Sequence, residues 1–286
     1  GQMQRHVLFS AIDRLNNADE AKGDTFVSNG DGITDKIESD LRADMGGFMH
    51  PSKGDYSGRR TAPLSVTPAV AMKESEVGRD LLMRVNTEGE NANEQAIATR
   101  EFSQGDIMRM NFFLDITSLS ISKAYRYENS FNVATVYYKH ATEAERKRRA
   151  ELYLNATRLM NDYANQARNA VCGEPQQVII VFDTILSRKA ARYFEAGEIE
   201  RANILKELDE RKAQYFIGDD TTENSVLKAY NEALEFLKSN ELYTCDSDDS
   251  EVRSFDDVYV NDQNDVKPSK SKKQEKKTDD TPSLFD

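Results

Sequence analysis

The sequence has 286 residues, with 50 Asp/Glu against 38 Lys/Arg and a formal net charge of −12. That length suits one large domain or two small ones with a sizeable core, and the acidic balance argues against binding nucleic acid by bulk charge, so any such site must be a local basic track. Two distant cysteines, Cys172 and Cys245, argue against a disulfide framework or a Cys/His zinc site, and no run nears the roughly 18 apolar residues that span a bilayer, so a soluble, reducing, cytoplasmic setting without a membrane partner is expected.

The chain opens on "GQMQRHVLFSAIDRLNN", where Met3, Val7, Ala11, Ile12 and Leu15 form one helical stripe with Arg5, His6 and Arg14 off it. The chain starts inside this helix without an initiator Met, which suggests that a preceding segment of the natural protein is absent. Residues 17–60 are rich in Gly, Asp, Asn and Ser and read as a long connection, of a length that is functional or disordered, with a short helical candidate at Thr34–Leu41. It ends in Arg59 and Arg60. Next, Ala62, Leu64, Val66, Val70 and Met72 alternate as a half-buried strand in which Pro68 marks an edge or bulge. A charged excursion over 73–106 precedes a second alternation, Met108, Met110, Phe112, Leu114 and Ile116, the clearest strand of the sequence.

The β-rich "NVATVYYK" leads to a long helix opened by a capping-box pattern, Thr142 to Glu145, and striped by Leu152, Ala156, Leu159, Met160, Tyr163, Ala167 and Val171. After the "CGEP" loop, "QQVIIVFDTI" suits a central strand buried on both faces. Helical patterns follow at Ser187–Glu195, Glu198–Phe216 and Glu223–Lys238. From Cys245 onward, twelve Asp/Glu and seven Lys/Arg with few core-forming residues predict a disordered tail, leaving 1–244 as the folded unit. The predicted class is α+β. Helix, strand, strand, helix, strand is a ferredoxin-like core lacking its first strand.

Catalytic sets are sparse. His6, His50 and His140 are scattered, and there is no phosphate-binding glycine motif and no nucleophile elbow. No metal or cofactor site is expected. Asp55, in "KGDYSGRR", is the one acid in a suggestive place, and a solvated turn residue is the simpler account. What remains is basic: Arg5 and His6 near a helix N-terminus, Arg59 and Arg60 at a strand mouth, and Arg168 before a Gly-Glu-Pro loop. These suit a phosphate-holding track, or are ordinary solvated arginines.

Four pieces carry a resemblance to a known family: "GQMQRHVL", "RRTAPLSVTPAVAM", "ATREFSQGDIMRMNFFLDI" and "LMNDYANQARNAVCGEPQQVIIVFD". In this order and spacing the chain resembles the guide-RNA-binding backbone subunit of type I CRISPR Cascade, the seventh Cas family, nearest its DevR/Cst branch of type I-B systems. The resemblance implies an RRM-like palm that grips crRNA, a finger insertion at about 17–60 and a thumb at about 73–106 that folds over the next copy. It implies that Gln2, Arg5 and Arg168 hold phosphates, that Thr99 and Phe102 lie near the thumb's return, and that Met49 wedges against a displaced base. The family's first palm strand normally precedes the "GQxxR" motif. The implied partners are guide crRNA, target DNA paired to it, neighbouring copies and other Cascade subunits. One of Arg59 and Arg60 is expected to face the groove, and the shared phase with Ala62 and Leu64 favours Arg60. A noncatalytic filament subunit is the leading reading. A target-RNA-cutting relative using Asp55 and a protein-interaction scaffold are the alternatives.

Overall fold

The computed structural model describes residues 1–30, 34–49, 59–74, 78–85, 95–103, 105–128, 131–161, 172–244 and 251–258. Helix α1, Gln2–Ala18, buries Val7, Leu8, Phe9, Ala11 and Ile12, while Met3 stays 55% exposed. Its apolar face is broader than the predicted stripe because α1 is covered from two sides. Helix α3, Glu143–Arg158, packs along it, and Phe9 also meets the short helix α2, Leu41–Gly46. Helix α2 starts where the predicted Thr34–Leu41 helix was to end. Asp40, not Thr34, is its N-cap, accepting from the Arg42 N–H at 2.9 Å, while the Thr34 hydroxyl donates to the other Asp40 oxygen at 2.6 Å.

The strands pair as antiparallel two-stranded ladders: β1 (Phe48–Met49) with β2 (Arg59–Arg60), β3 (Leu64–Val66) with β8 (Phe112–Leu114), and β4 (Val70–Ala71) with β7 (Met108–Arg109). The two predicted long strands are thus each broken in two. The break falls at Pro68, which has no N–H to donate, and Thr67 and Asn111 bridge it through backbone and side-chain hydrogen bonds of 3.0–3.3 Å. Within the charged excursion, β5 (Gly78–Val85) pairs with β6 (Gln95–Ser103). Strand β9 (Ile121–Glu128), not foreseen in the sequence, forms a hairpin with β10 (Phe131–Lys139).

One further ladder and two helices follow. Strand β11, Gln177–Phe182, was expected to be buried on both faces. Among its residues only Ile180 is buried, and its partner is β12, Gln214–Asp219. Residues 214–216 were predicted as the end of a helix. Helix α4, Glu198–Glu210, instead stops short because Lys212 turns left-handed at φ 57° and the Ala213 N–H closes back on the Leu208 carbonyl at 3.0 Å. The predicted Ser187–Glu195 helix is a four-residue 3-10 turn, Lys189–Arg192. Helix α5, Val226–Ser239, lies on β12, and a Cβ at Gly218 would be 2.7 Å from the Val226 Cα.

The main core joins α1, α2, α3 and Leu64, with Phe112, Leu114 and Phe182 packed against it, so the β3–β8 and β11–β12 ladders border one apolar interior. The class is α+β. Among the described residues no ladder joins these two pairs into a single palm sheet. The tail expected to be disordered is ordered in part. Residues 251–258 carry the buried Phe255 and Val258, and the Arg253 N–H donates to the Lys139 carbonyl at 2.8 Å.

Candidate nucleic-acid interface

The sequence run "ERKRR", residues 145–149, supplies tie rods rather than a solvent-facing basic stripe. Arg149 donates to the Asp44 carboxylate at 2.7 Å, to the Ile37 and Glu38 carbonyls at 2.9 and 2.6 Å, and to Glu145 at 2.7 Å. Arg146, also fully buried, reaches the Ile116, Leu119 and Tyr243 carbonyls. Arg148 binds Asp19 and Glu145. A buried cation is stable only when its donors are taken up, and these long side chains do so with carbonyls at loop ends.

Asp44 is the hub. Its oxygens accept from Arg60, Arg149 and both the N–H and hydroxyl of Ser120, at 2.7–2.8 Å, and Ser120 holds φ 56° to present both donors. Burial by itself pushes the Asp44 carboxyl up. The Arg60 and Arg149 charges and the Ser120 hydroxyl outweigh it and hold the carboxyl below the usual range.

Arg60, favoured in the sequence as the groove-facing arginine, is therefore engaged in the interior. Its guanidinium donates to the Asp44 carboxylate and carbonyl and to the Ser118 and Ile121 carbonyls, and its side chain is 6% exposed. Strand phase did identify the arginine that packing fixes. It could not show that the fixing partner is a buried carboxylate, which takes up the guanidinium together with three backbone carbonyls.

Around this hub the predicted residues divide. Arg5 donates to the Gly46 carbonyl and lies 5.8 Å from the Phe9 ring centre, half-buried. Gln2 and His6 are exposed in the first turns of α1, whose opening N–H groups have no acceptor within the helix. Gly46 and Gly47 bring α2 and β1 against this end. A Cβ at Gly46 would be 2.6 Å from Arg5 Nη2, and one at Gly47, which has φ 65°, would be 2.4 Å from the Arg60 carbonyl oxygen. Beyond the turn Met49 is 71% exposed, and Arg59 is its register partner. Gln2, Arg5 and His6 thus belong to α1, and Met49 and Arg59 to the β1–β2 ladder that the double glycine brings beside it. Thr99 lies where the β5–β6 register shifts, and Phe102 pairs with Arg79 on the same ladder. Arg168 and Asp55 lie outside the described residues.

Arg5 and His6 of α1, the double glycine and the basic strand mouth all fall within one matched span. A family model described as CRISPR-associated negative auto-regulator DevR/Csa2 matches residues 4–172. The chain belongs to the DevR/Csa2 family. The match takes in α1 from Gln4 onward, the whole Asp44 hub and α3, whereas Gln2, β11, β12, α4, α5 and residues 251–258 lie outside it. Comparison with curated proteins finds no match. For a DevR/Csa2 protein, two features of this chain escape sequence inspection: the Asp44 hub and the docked segment 251–258. The i, i+4 spacing of Glu145 and Arg149 was legible as a helix-surface pair. The burial of Arg149 depends on Asp44, 105 residues away. Among the described residues no group of three or more His, Cys, Asp or Glu is placed to hold a metal, and no helix is long and apolar enough to cross a membrane.

Proposed function

We propose that this DevR/Csa2 chain is a noncatalytic backbone subunit that lines up in copies along guide crRNA. It holds the RNA backbone without reading its sequence and leaves the bases free to pair with target DNA in antiviral defence. The observation that carries this reading is the junction of the first turn of α1 with the Gly46–Gly47 turn and the Met49–Arg59 pair. Helix N–H groups and an arginine at that junction suit a phosphate, and an exposed methionine suits a base face. The β5–β6 hairpin is the thumb of this reading, the β3–β8 and β11–β12 ladders with α1 and α3 its palm, and neighbouring copies and other Cascade subunits its protein partners.

The net charge of −12 accords with this arrangement, since a single strand needs positive potential only along its own track. Purification of the chain with a full CRISPR locus tests it. Bound RNA of uniform length is expected. Recovery of the protein free of RNA, or of regularly spaced cuts in a matched target RNA with Mg²⁺, overturns the noncatalytic RNA-binding reading.

A further inference from the structure

The β1–β2 ladder is only two residue pairs long, Phe48 with Arg60 and Met49 with Arg59. A ladder of that length does not hold itself in water. One pair must be anchored if the other is to present itself to a ligand. Arg60 anchors β2 through Asp44. Phe48 anchors β1 through a residue far outside the family span: the Phe255 ring meets it edge-on at 5.2 Å and 83°.

Phe255 is itself firmly seated, being 4% exposed, with its N–H donating to Glu38 Oε2 at 3.2 Å. On one side, Val252 bridges Lys139, the Arg253 N–H donates to the Lys139 carbonyl, and the Arg253 carbonyl accepts from His140 Nδ1 at 2.8 Å. On the other, Val258 packs with Val136 and Tyr138 of β10. Seven residues thus join β10, the loop before α2, and β1.

We propose that Val252–Val258 is a strap that fixes the β1–β2 ladder for RNA, with Phe255 as its positioning residue. The inference rests on the RNA-binding reading and adds to it a determinant from outside the family-matched span. By ordering the anchored pair before RNA arrives, the strap reduces the conformational entropy lost when Met49 and Arg59 engage it.

The test uses the full chain. Because the sequence has no tryptophan, Met49→Trp places a single tryptophan beside Phe48, excited at the red edge where tyrosine does not absorb. In that background and without RNA, Phe255→Ala is expected to lower the fluorescence anisotropy, and Phe255→Leu to restore most of it. In the background that keeps Met49, Phe255→Ala is expected to weaken binding of a polyuridine oligonucleotide about fivefold, again with recovery in Phe255→Leu. Glu38→Ala, which removes an acceptor without opening the core, is expected to move both readings the same way by about twofold, and it decides the matter if Phe255→Ala does not fold. Wild-type RNA affinity in folded Phe255→Ala, or unchanged anisotropy, overturns the strap. Failure of the underlying reading shows separately: Gln2→Ala and Arg59→Ala then leave RNA binding and its salt dependence unchanged.

Discussion

Asp44 and Arg149 meet at 2.7 Å with both side chains wholly removed from solvent, and Arg60 approaches the other oxygen of the same carboxylate at 2.7 Å. Two guanidinium groups share one carboxylate, so the site keeps a net positive charge that carbonyls and Glu145 must disperse. Removing the acid leaves two buried cations facing each other. Asp44→Ala is expected to lower unfolding stability by about 3–5 kcal/mol, read as the shift in urea midpoint multiplied by its slope. A loss below about 1 kcal/mol shows that water replaces the carboxylate and that the hub is not structural.

Arg59 and Arg60 are expected to separate by readout. Arg59→Ala should lower the slope of log affinity for single-stranded RNA against log salt by about 0.7, the value for one phosphate contact, at unchanged urea midpoint. Arg60→Ala should lower the midpoint. Arg60→Lys should not rescue it, because the three donors of an ammonium cannot serve the carboxylate and the Asp44, Ser118 and Ile121 carbonyls, four acceptors that the guanidinium fork spans. The reverse pattern would exchange the two roles.

Stability is expected to fall on acidification through His140. Burial, first among the causes, pulls its pKa down from 6.5 to about 4, and the nearby Arg60 and Arg149 act in the same direction, against the Arg253 carbonyl and Asp44. Between pH 6.5 and about 4 the unfolded chain therefore binds a proton that the folded chain refuses. Protons then favour unfolding, and stability contributed by the neutral ring is full above pH 6.5 and lost toward pH 4. The loss is on the order of 3 kcal/mol over that window. Urea titrations of wild type and His140→Gln from pH 7.5 to 4 check it: the mutant's curve should be flatter, and parallel curves would show that His140 is not the linked group.

Gly47 has φ 65°, and an added Cβ would lie 2.4 Å from the Arg60 carbonyl and 2.7 Å from the Ala62 nitrogen. Gly47→Ala must move backbone rather than a flexible side-chain end. A loss of about 1–3 kcal/mol in stability is expected, with weaker RNA binding as the β1–β2 ladder shifts. Gly105, where a Cβ would meet nothing within 4 Å, is the control, and Gly105→Ala should leave stability unchanged. Equal effects at the two positions would show that close approach at Gly47 is not what the glycine serves.

The sequence by itself determined α1, α5 and the Thr142-capped start of α3, because apolar spacing and caps are local properties of the chain. The predicted helix ran on through Leu159 and Met160, whereas α3 ends at Arg158 and Leu159 leaves the helix at φ −113° and ψ 38°. It also indicated both halves of the β3–β8 and β4–β7 ribbon, whose alternation is local, and the proline that breaks it. The opening α1 motif and the strand-mouth arginines marked the family through residue order alone. Tertiary structure decided the rest. Residues 214–216 were apolar enough for either class, and only the left-handed Lys212 and the pairing with β11 made them strand. Strand phase set Arg59 and Arg60 on opposite sides, but which side holds a carboxylate depends on Asp44, 16 residues away, and on the α3 arginine that shares it. The segment 251–258 has a disordered composition, and its order comes from a preformed surface of Phe48, Glu38 and β10. Local periodicity encodes which face is apolar. Which distant group covers that face, or neutralises a charge on it, exists only once the chain has closed.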